Sequence, residues 1–179
     1  MSNIIDNLEI IEYKEIIERS EYLADVGYVA PYYLKTNKFN IIPFEKVNKN
    51  LRTLLIELLN IEFEKEFNQT YNEQFIRQKW TGVQVFYIIT NREQDKLIGS
   101  IAIDNKNYFP CISNLYILLE YRNQGYATFL LNYANKYIKS LGLNLSRLQC
   151  NDRMLEFYEK KGWIFEQKYN NNNIMILNL

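Results

Sequence analysis

Residues 111–142 limit the possible folds of this chain more than any other segment. CISNLYIL is a strand-length run rich in apolar residues, and a turn with Gly125 separates it from a long helical pattern. Gly142 ends this helix, and LNLSRLQC predicts another strand. A helix between two strands predicts a crossover that places the strands parallel in one sheet. The residues that form one apolar stripe along this predicted helix are Tyr126, Phe129, Leu130, Tyr133, Ala134, Tyr137, Ile138 and Leu141.

The segments on either side complete a mixed α/β sheet of about seven strands, with helices on both faces. KFNIIPF predicts a short strand, and LRTLLIELLNIEFEKEF and NEQFIRQKW predict two helices. VQVFYIIT and LIGSIAID predict a hairpin, so the first half of the sheet is antiparallel. DRMLEFYEKK predicts a short helix, and WIFEQKY and IMILNL predict a final hairpin. On the first helix, the predicted buried face consists of Leu51, Leu54, Leu55 and Leu58.

The chain divides into an N-terminal extension, residues 1–37, and one folded domain, residues 38–179. Ile4, Leu8 and Ile11 follow a helical spacing, so most of the extension is predicted to be helical. The extension is rich in large apolar residues, which a disordered tail normally lacks. We therefore expect it to fold against the domain or against a second subunit, and a homodimer stays open.

The composition removes several kinds of function. Lys+Arg and Asp+Glu number 21 each, so no overall charge attracts nucleic acid or a membrane surface. The chain contains no histidine, which excludes histidine bases and ligands, and two cysteines do not complete a structural zinc site. No segment has the apolar length of a bilayer span, and the charged N-terminus is unlike a secretory signal. We expect a soluble, cytoplasmic protein without a metal.

The two cysteines are expected to be reduced thiols. Cys111 begins one predicted strand and Cys150 ends its parallel neighbour, so the two lie at opposite ends of the sheet. A separation of about six residues, at about 3.3 Å each, exceeds the reach of a disulfide.

The turn around Gly125 has the residue types that bind phosphate. The first N–H groups of a helix are unpaired, and the backbone dipole makes this end positive. Gly125 allows a ligand close to the backbone, and Ala127 keeps the first turn open. Thr128 and Arg122 add polar groups that suit phosphate oxygens. The alternative is a strand-to-helix turn in which the glycine serves packing alone.

Two segments resemble motifs of the GCN5-related N-acetyltransferase (GNAT) superfamily. NLYILLEYRNQGYATFLL resembles its acyl-CoA-binding motif, in which L-Y-V, then P-E-Y-R, then G-x-G or G-x-A lead into a helix. Leu119 stands in place of the usual proline, and Asn123 in place of a frequent glycine. NDRMLEFYEKKGW is similar to a second signature, with Asn151 and Tyr158 in register and Met154 where alanine is common. The order of elements fits the family from about residue 38 to the C-terminus.

The resemblance implies a GNAT fold in which the strands at 111–118 and 144–150 diverge, often beside a β-bulge. It also implies acetyl-CoA as the co-substrate, with no metal. The Ile117 N–H would then face the thioester carbonyl and stabilise the oxyanion, while the amides from Gln124 to Thr128 would take the pyrophosphate. The implied cofactor-binding residues are Ile117, Leu118, Leu119, Arg122, Asn123, Gln124, Gly125, Tyr126, Ala127, Thr128, Asn151 and Tyr158.

Tyr158 is the implied general acid, because a nearby phenol can protonate the CoA thiolate that leaves when an amine attacks. Packing on an apolar helix face is the alternative role. Asn151 would hydrogen-bond the cofactor or cap the helix that follows it, and Lys160 and Lys161 would approach phosphate or lie in solvent. The general base stays open among Glu120, Asp104, Glu62, Glu66 and ordered water.

The expected function is acetyl-CoA-dependent acetylation of a primary amine by direct attack in a ternary complex. A catalytically silent acyl-CoA-binding or protein-interaction module on the same fold is the alternative. An acidic, aromatic pocket would suit a cationic amine such as a polyamine, although a solvated helix face explains the same glutamates. Amino sugars, amino acids and protein N-termini stay open as acceptors. The regions expected to bind the acceptor are the helices at 47–80, the loop at 104–111 and the last hairpin. Their acidic and aromatic residues are Glu62, Glu64, Glu66, Phe67, Tyr71, Trp80, Tyr108 and Phe109.

Overall fold

The computed structural model has one open, mixed sheet at its centre and describes residues 10–12, 34–36, 38–80, 84–106 and 109–179. Nine strands form this sheet in the described parts of the chain. They are β1 (Ile10–Glu12), β2 (Leu34–Thr36), β3 (Phe39–Pro43), β4 (Val85–Asn91), β5 (Leu97–Lys106), β6 (Phe109–Ile117), β7 (Leu145–Cys150), β8 (Ile164–Tyr169) and β9 (Asn172–Asn178). Their order across the sheet is β1-β2-β3-β4-β5-β6-β7-β9-β8.

Within the described residues, four α-helices cover the two faces of the sheet. They are α1 (Lys49–Phe67), α2 (Glu73–Lys79), α3 (Tyr126–Ser140) and α4 (Leu155–Glu159). The Asn48 and Asn72 side chains begin α1 and α2 by accepting hydrogen bonds from the first turn of each helix. Phe86 and Ile88 pack in the core beneath α1 and α2, and the alternate residues Tyr87 and Ile89 pack in the core beneath α3. Two covered faces explain why β4 is a continuous apolar run rather than an alternating one.

The buried face of α1 differs from the predicted one. Leu51 and Leu55 are buried as predicted, but Leu59 completes the stripe, and Leu54 is 39% exposed. Leucines occupy more than one side of this helix, so the spacing alone does not decide which side meets the sheet. The predicted stripe of α3 is buried or partly buried along its whole length.

The pairing of the strands is antiparallel except between β6 and β7, as the order of elements predicts. These two strands pair at Cys111↔Arg147 and Ile112↔Leu148, and the register extends no further toward Ile117. β7 instead continues its pairing with β9 on its other side. The parallel strands therefore diverge toward their C-terminal ends, which confirms the splayed central pair of the predicted fold.

A β-bulge in β6 accompanies the divergence. Ser100 of β5 pairs with Tyr116, whereas Ala102 pairs with Ser113, so Asn114 and Leu115 together face one residue of β5. Asn114 has a φ of 49°, in the left-handed region that asparagine tolerates better than most residues. The bulge bends the part of β6 that leads to Ile117.

Two short strands belong to the segment predicted to be a mostly helical extension. The structure has strands rather than helix at Ile10–Glu12 and Leu34–Thr36. β1 pairs with β2, and β2 pairs with β3 through Leu34↔Ile41 and Lys35↔Asn40. The other residues of the 1–37 segment lie outside the described part, so the prediction for them stays a prediction.

Cys111 and Cys150 are free thiols, but their predicted separation is wrong. β6 begins at Phe109 rather than at Cys111, and Cys111 lies level with Arg147 of β7. From Arg147 to Cys150 the offset is three residues, or about 10 Å at the rise of a strand. This smaller offset still exceeds the reach of a disulfide.

No helix in the described ranges combines the length and the apolar character that crossing a membrane requires.

Candidate active site

A cleft of about 850 Å³ lies where β6 and β7 diverge. Residues of β6 and β7 form its floor, the start of α3 and the segment from Asn151 to Lys161 line one part, and residues from α1 to α2 line another. The cleft therefore joins the two motif segments with the region predicted to bind the acceptor.

Ile117 turns its backbone polar groups toward the cleft. Ile117 pairs with Gly99 across β5, and the N–H of the next residue, Leu118, donates to the Ile98 carbonyl at 2.9 Å. In an antiparallel pair these bonds alternate, so the N–H and C=O of Ile117 point away from β5 and toward the diverging edge. The Arg122 Nε donates to the Ile117 carbonyl at 2.9 Å, which holds the guanidinium beside the cleft.

Gly99 lets β5 and β6 approach closely at this point. A Cβ on Gly99 would overlap the backbone carbonyl oxygen of Tyr116. A side chain there would push apart the strand pair that orients the Ile117 N–H.

The turn before α3 leaves the start of the helix open. Asn123 and Gly125 both have left-handed backbone conformations, with φ values of 59° and 91°. α3 begins at Tyr126 without a side-chain cap and without an acidic residue in its first turn. The Phe129 N–H makes an early intrahelical bond to the Gly125 carbonyl, so the N–H groups before it are the unpaired ones of a helix start. This end of α3 suits an anion.

The structure brings most of the predicted cofactor-binding residues to the cleft, but not all of them. Leu118 uses its N–H in the sheet, and Leu119 is 76% exposed and does not line the cleft. Gln124 also lies outside the lining, where its side-chain Nε2 donates to the Glu120 carbonyl at 2.9 Å. The predicted residues that line the cleft are Ile117, Arg122, Asn123, Gly125, Tyr126, Ala127, Thr128, Asn151 and Tyr158.

Tyr158 combines burial with access to the cleft. It is 7% exposed and packs edge-to-face against the Phe157 and Trp163 rings. Burial raises the pKa of its phenol well above 10.0, and the neighbouring Cys150 raises it further. The phenol is therefore neutral, and able to donate a proton, across the physiological pH range.

The remaining predicted groups of this region separate into those that line the cleft and those that do not. Asn151 precedes the 3₁₀ turn Asp152–Met154, but its side chain makes no capping hydrogen bond. Lys160 pairs with Glu156 on the exposed side of α4, whereas Lys161 lines the cleft 4.2 Å from the centroid of the Phe157 ring.

Two of the candidate general bases, Asp104 and Glu62, line the cleft. Glu120 is exposed on the turn before α3 and does not line it. The side chain of Glu66 lies outside the described part of the structure.

An ion pair that the sequence does not reveal occupies the other end of the cleft. The Lys79 Nζ lies 3.7 Å from the Asp104 Oδ2, and the two side chains are 19% and 13% exposed. The Ser113 hydroxyl donates to the same carboxylate oxygen at 3.4 Å. Asp104 and burial together raise the pKa of the Cys111 thiol to about 11, with burial as the larger cause. Lys79 and Asp104 are 25 residues apart, so no local pattern indicates their contact.

A second contact outside the predicted site supports the bulge. The Tyr71 hydroxyl donates to the Asn114 Oδ1 at 2.7 Å, and both residues are buried. Burial, and secondarily Asp104, raise the pKa of Tyr71 to about 12, so this hydroxyl keeps its proton. An asparagine in the middle of an apolar strand is the one sequence signal of this arrangement.

Diverging parallel strands, with an open helix start on the cleft between them, define an acetyltransferase-type α/β fold. The chain belongs to the acetyltransferase (GNAT) family, whose model matches residues 52–163. This match confirms the resemblance seen in the two motif segments. No curated protein sequence matches the chain.

Solved structures of this family share the fold at low sequence identity. An acetyltransferase of the GNAT family from Staphylococcus aureus Mu50 is 21% identical, with a TM-score of 0.60 over 79% of this chain and 99% of that chain. An aminoglycoside 6'-N-acetyltransferase complexed with coenzyme A is 18% identical, with a TM-score of 0.62 over 77% and 96%. A spermidine N-acetyltransferase from Vibrio cholerae, in complex with CoA and spermine, is 16% identical, with a TM-score of 0.60 over 78% and 95%.

Proposed function

We propose that the protein is an acetyl-CoA-dependent N-acetyltransferase that transfers the acetyl group directly to a primary amine in a ternary complex. The observation that carries the proposal is that one cleft holds the outward-turned N–H of Ile117, the uncapped start of α3 and the buried phenol of Tyr158. Family membership supports it, and so do the CoA complexes of two of the similar structures.

The binding part of the proposal rests on the charge and shape of the cleft near α3. The pyrophosphate of acetyl-CoA suits the N–H groups at the start of α3, where no side chain caps the helix and the first turn contains no acidic residue. Arg122, Arg153 and Lys161 line the same cleft and supply positive charge for the phosphates. The unpaired edge of β6 offers backbone partners for the amides of the pantetheine arm.

The chemical part of the proposal assigns a role to each of two groups. Acetyl-CoA supplies the acetyl group and a thiolate leaving group. The Ile117 N–H stabilises the negative charge that develops on the acyl oxygen. As the C–N bond forms and the C–S bond breaks, the electron pair passes to sulfur, and Tyr158 gives the thiolate its proton. The proton lost by the attacking nitrogen leaves through Asp104, Glu62 or water.

Substitution of Gly125 tests the binding step. Gly125→Glu places a side chain and a negative charge at the start of α3. We expect the affinity for acetyl-CoA, measured by calorimetry, to fall by much more than tenfold. Gly142→Glu is the matched control, because Gly142 has a similar φ of 77° and open surroundings beyond the other end of the same helix. The control should keep its affinity. Unchanged binding in a folded Gly125→Glu variant would contradict the assignment.

A turnover assay separates the enzyme from a silent acyl-CoA-binding module. Mass spectrometry of the protein incubated with acetyl-CoA and a mixture of primary amines should detect an acetylated amine and free CoA. Binding of acetyl-CoA without any acetylated product would favour the silent module.

A further inference from the structure

The bulge of β6 decides which backbone N–H of this strand faces the cleft. Before the bulge, Ser113 pairs with Ala102, and without an extra residue this register would continue until Ile117 paired with Ile98. The polar groups of Ile98 point toward β6, because its carbonyl accepts the Leu118 N–H at 2.9 Å. The Ile117 N–H would then bond within the sheet. The extra residue of the bulge therefore turns this N–H toward the cleft.

Two hydroxyl groups hold the bulge at Asn114. The Ser100 hydroxyl donates to the Asn114 backbone carbonyl at 2.9 Å, and the Tyr71 hydroxyl donates to the Asn114 side-chain Oδ1 at 2.7 Å. All three residues are buried. The Asn114 Nδ2 donates to the Ser113 hydroxyl at 3.5 Å, so the oxygen of the amide is the end that meets Tyr71. These bonds supply partners for polar groups of a residue that the bulge takes out of the regular ladder.

Tyr71 itself is fixed by the helices rather than by the sheet. It lies in the connection between α1 and α2, and the Asn60 side chain of α1 binds both of its backbone groups. The Asn60 Oδ1 accepts the Tyr71 N–H at 2.6 Å, and the Asn60 Nδ2 donates to the Tyr71 carbonyl at 3.0 Å. The Tyr71 ring packs edge-to-face against Phe75 of α2, with 5.9 Å between the centroids. The hydroxyl therefore reaches the bulge from a fixed position.

From these contacts we propose that Tyr71 is a positioning residue for acetyl transfer. Its hydroxyl holds Asn114 in the bulge, and the bulge directs the Ile117 N–H to the acyl oxygen. Tyr71 gives its proton to Asn114, so it acts through the strand and not on the acyl group, although it lines the cleft. The inference rests on the proposed function, because that function assigns the acyl oxygen to the Ile117 N–H.

The carbonyl stretching frequency of bound acetyl-CoA tests this role without an acceptor amine. A hydrogen bond to the acyl oxygen polarises the C=O bond and lowers its frequency. Acetyl-CoA labelled with carbon-13 at its acetyl carbonyl distinguishes this band from the protein bands in difference infrared spectra. We expect the band to lie at a higher frequency in Tyr71→Phe than in wild type. The Kd of acetyl-CoA, measured by calorimetry, should change by less than about threefold, because the phosphate and pantetheine contacts remain.

A second variant removes the other partner of the bond. Asn114→Gly deletes the acceptor of Tyr71, and glycine adopts the φ of 49° without strain. We expect the same direction of shift, and no further shift when Tyr71→Phe is added, because both changes remove one bond. If the Tyr71 hydroxyl instead bound the acyl oxygen directly, Asn114→Gly alone would not raise the frequency.

Ser146→Ala is the matched control for a general loss of stability. The Ser146 hydroxyl donates to the Asn135 Oδ1 at 2.7 Å, so it is a bond of the same kind and length. Ser146 is fully buried, and neither residue of this pair lines the cleft. We expect Ser146→Ala to lower the stability as Tyr71→Phe does and to keep the wild-type frequency.

The outcomes separate this inference from the proposed function. A frequency that stays at the wild-type value in folded Tyr71→Phe and Asn114→Gly would overturn the positioning role while the acetyltransferase stands. An equal shift in Ser146→Ala would also overturn it, because lost stability would then explain the change. A wild-type protein that does not bind acetyl-CoA would overturn both proposals. Should Tyr71→Phe fail to fold, Asn114→Gly and the control still decide the question.

Discussion

Tyr158 has the two properties of a general acid, because its phenol lines the cleft and burial keeps it protonated. Tyr158→Phe retains the ring packing against Phe157 and Trp163 and removes the proton. We expect kcat to fall by roughly 10²–10⁴, with little change in the Kd of acetyl-CoA. Tyr137→Phe is the control, because Tyr137 is a buried tyrosine of α3 that does not line the cleft. Full activity of Tyr158→Phe across the pH range would remove the acid role.

The pKa of Tyr158 also predicts the shape of the pH profile. A raised pKa means that the folded protein favours the neutral phenol, so the proton donor persists above the ordinary value of 10.0. We expect kcat/KM to rise with pH as the acceptor amine loses its proton, and kcat to show no decline up to pH 10. Steady-state rates from pH 6 to pH 10 test this expectation. A fall in kcat with a midpoint below pH 10, in a protein that stays folded, would mean that the proton comes from a different group.

Asn123 explains how the chain departs from the family motif without losing the turn. The family often has glycine here, and the structure gives Asn123 a φ of 59°, in the left-handed region. Asparagine visits this region at lower cost than other residues with a side chain, because its short amide can bond locally. The replacement therefore preserves the conformation that leads to Gly125 and the open helix start.

At the scale of elements, the bond between Tyr71 and Asn114 ties the connection between α1 and α2 to the bulge of β6. Tyr71→Phe leaves the side-chain oxygen Oδ1 of Asn114 buried without this donor, and we expect a loss of about 1–3 kcal/mol in the free energy of unfolding. Tyr169→Phe is the control, because Tyr169 is 58% exposed on β8. Denaturant unfolding curves for both variants test the prediction. Equal stability of wild type and Tyr71→Phe would show that the bulge holds without this bond.

The sequence predicts the elements best where one period dominates. The stripe of α3 is correct because its apolar residues stay on one side for four turns. The predicted face of α1 is partly wrong because leucines lie around much of this helix, and Leu54 is exposed whereas Leu55 and Leu59 are buried on one side. Only contact with the sheet decides among them, and a local pattern does not contain that contact.

The parts of the candidate site that the sequence misses depend on contacts between distant segments. Tyr71, whose hydroxyl donates to Asn114 in the bulge, lies 43 residues before it in the sequence. The ion pair joins Lys79, the last residue of α2, with Asp104 near the end of β5. By contrast, Gly125 and Tyr158 belong to local motifs with fixed spacing, which is why the sequence indicates them and not Lys79.

At the scale of the whole molecule, a balanced charge conceals an uneven cleft. Lys+Arg and Asp+Glu number 21 each, yet Arg122, Arg153 and Lys161 line the part of the cleft near α3 and α4. Charges so close to a ligand act within a Debye length of about 10 Å at 0.1 M salt, whereas the remote charges are screened. An overall charge of zero therefore argues against nucleic acid and not against an anionic co-substrate.

The N-terminal segment adds β2 to the sheet beside β3, and we expect its removal to destabilise the domain. β2 pairs with β3, and Phe39 and Ile41 of β3 are fully buried. Deleting residues 1–37 removes β2 and leaves β3 with an unpaired edge, which promotes edge-to-edge association. We expect a lower melting temperature and lower solubility, measured by thermal unfolding and by light scattering.

A shorter deletion separates the strand from the rest of the segment. Removing residues 1–33 retains Leu34–Thr36 and its pairing with Ile41 and Asn40. If β2 carries the stabilising effect, this variant melts close to the intact protein and well above the 1–37 deletion. If the large apolar residues before it carry the effect, such as Ile4 and Leu8, both deletions lower the melting temperature equally. A 1–37 deletion as stable, soluble and active as the intact chain would show that the segment is an appendage. Loss of a strand that stabilises the sheet would lower the melting temperature or the solubility.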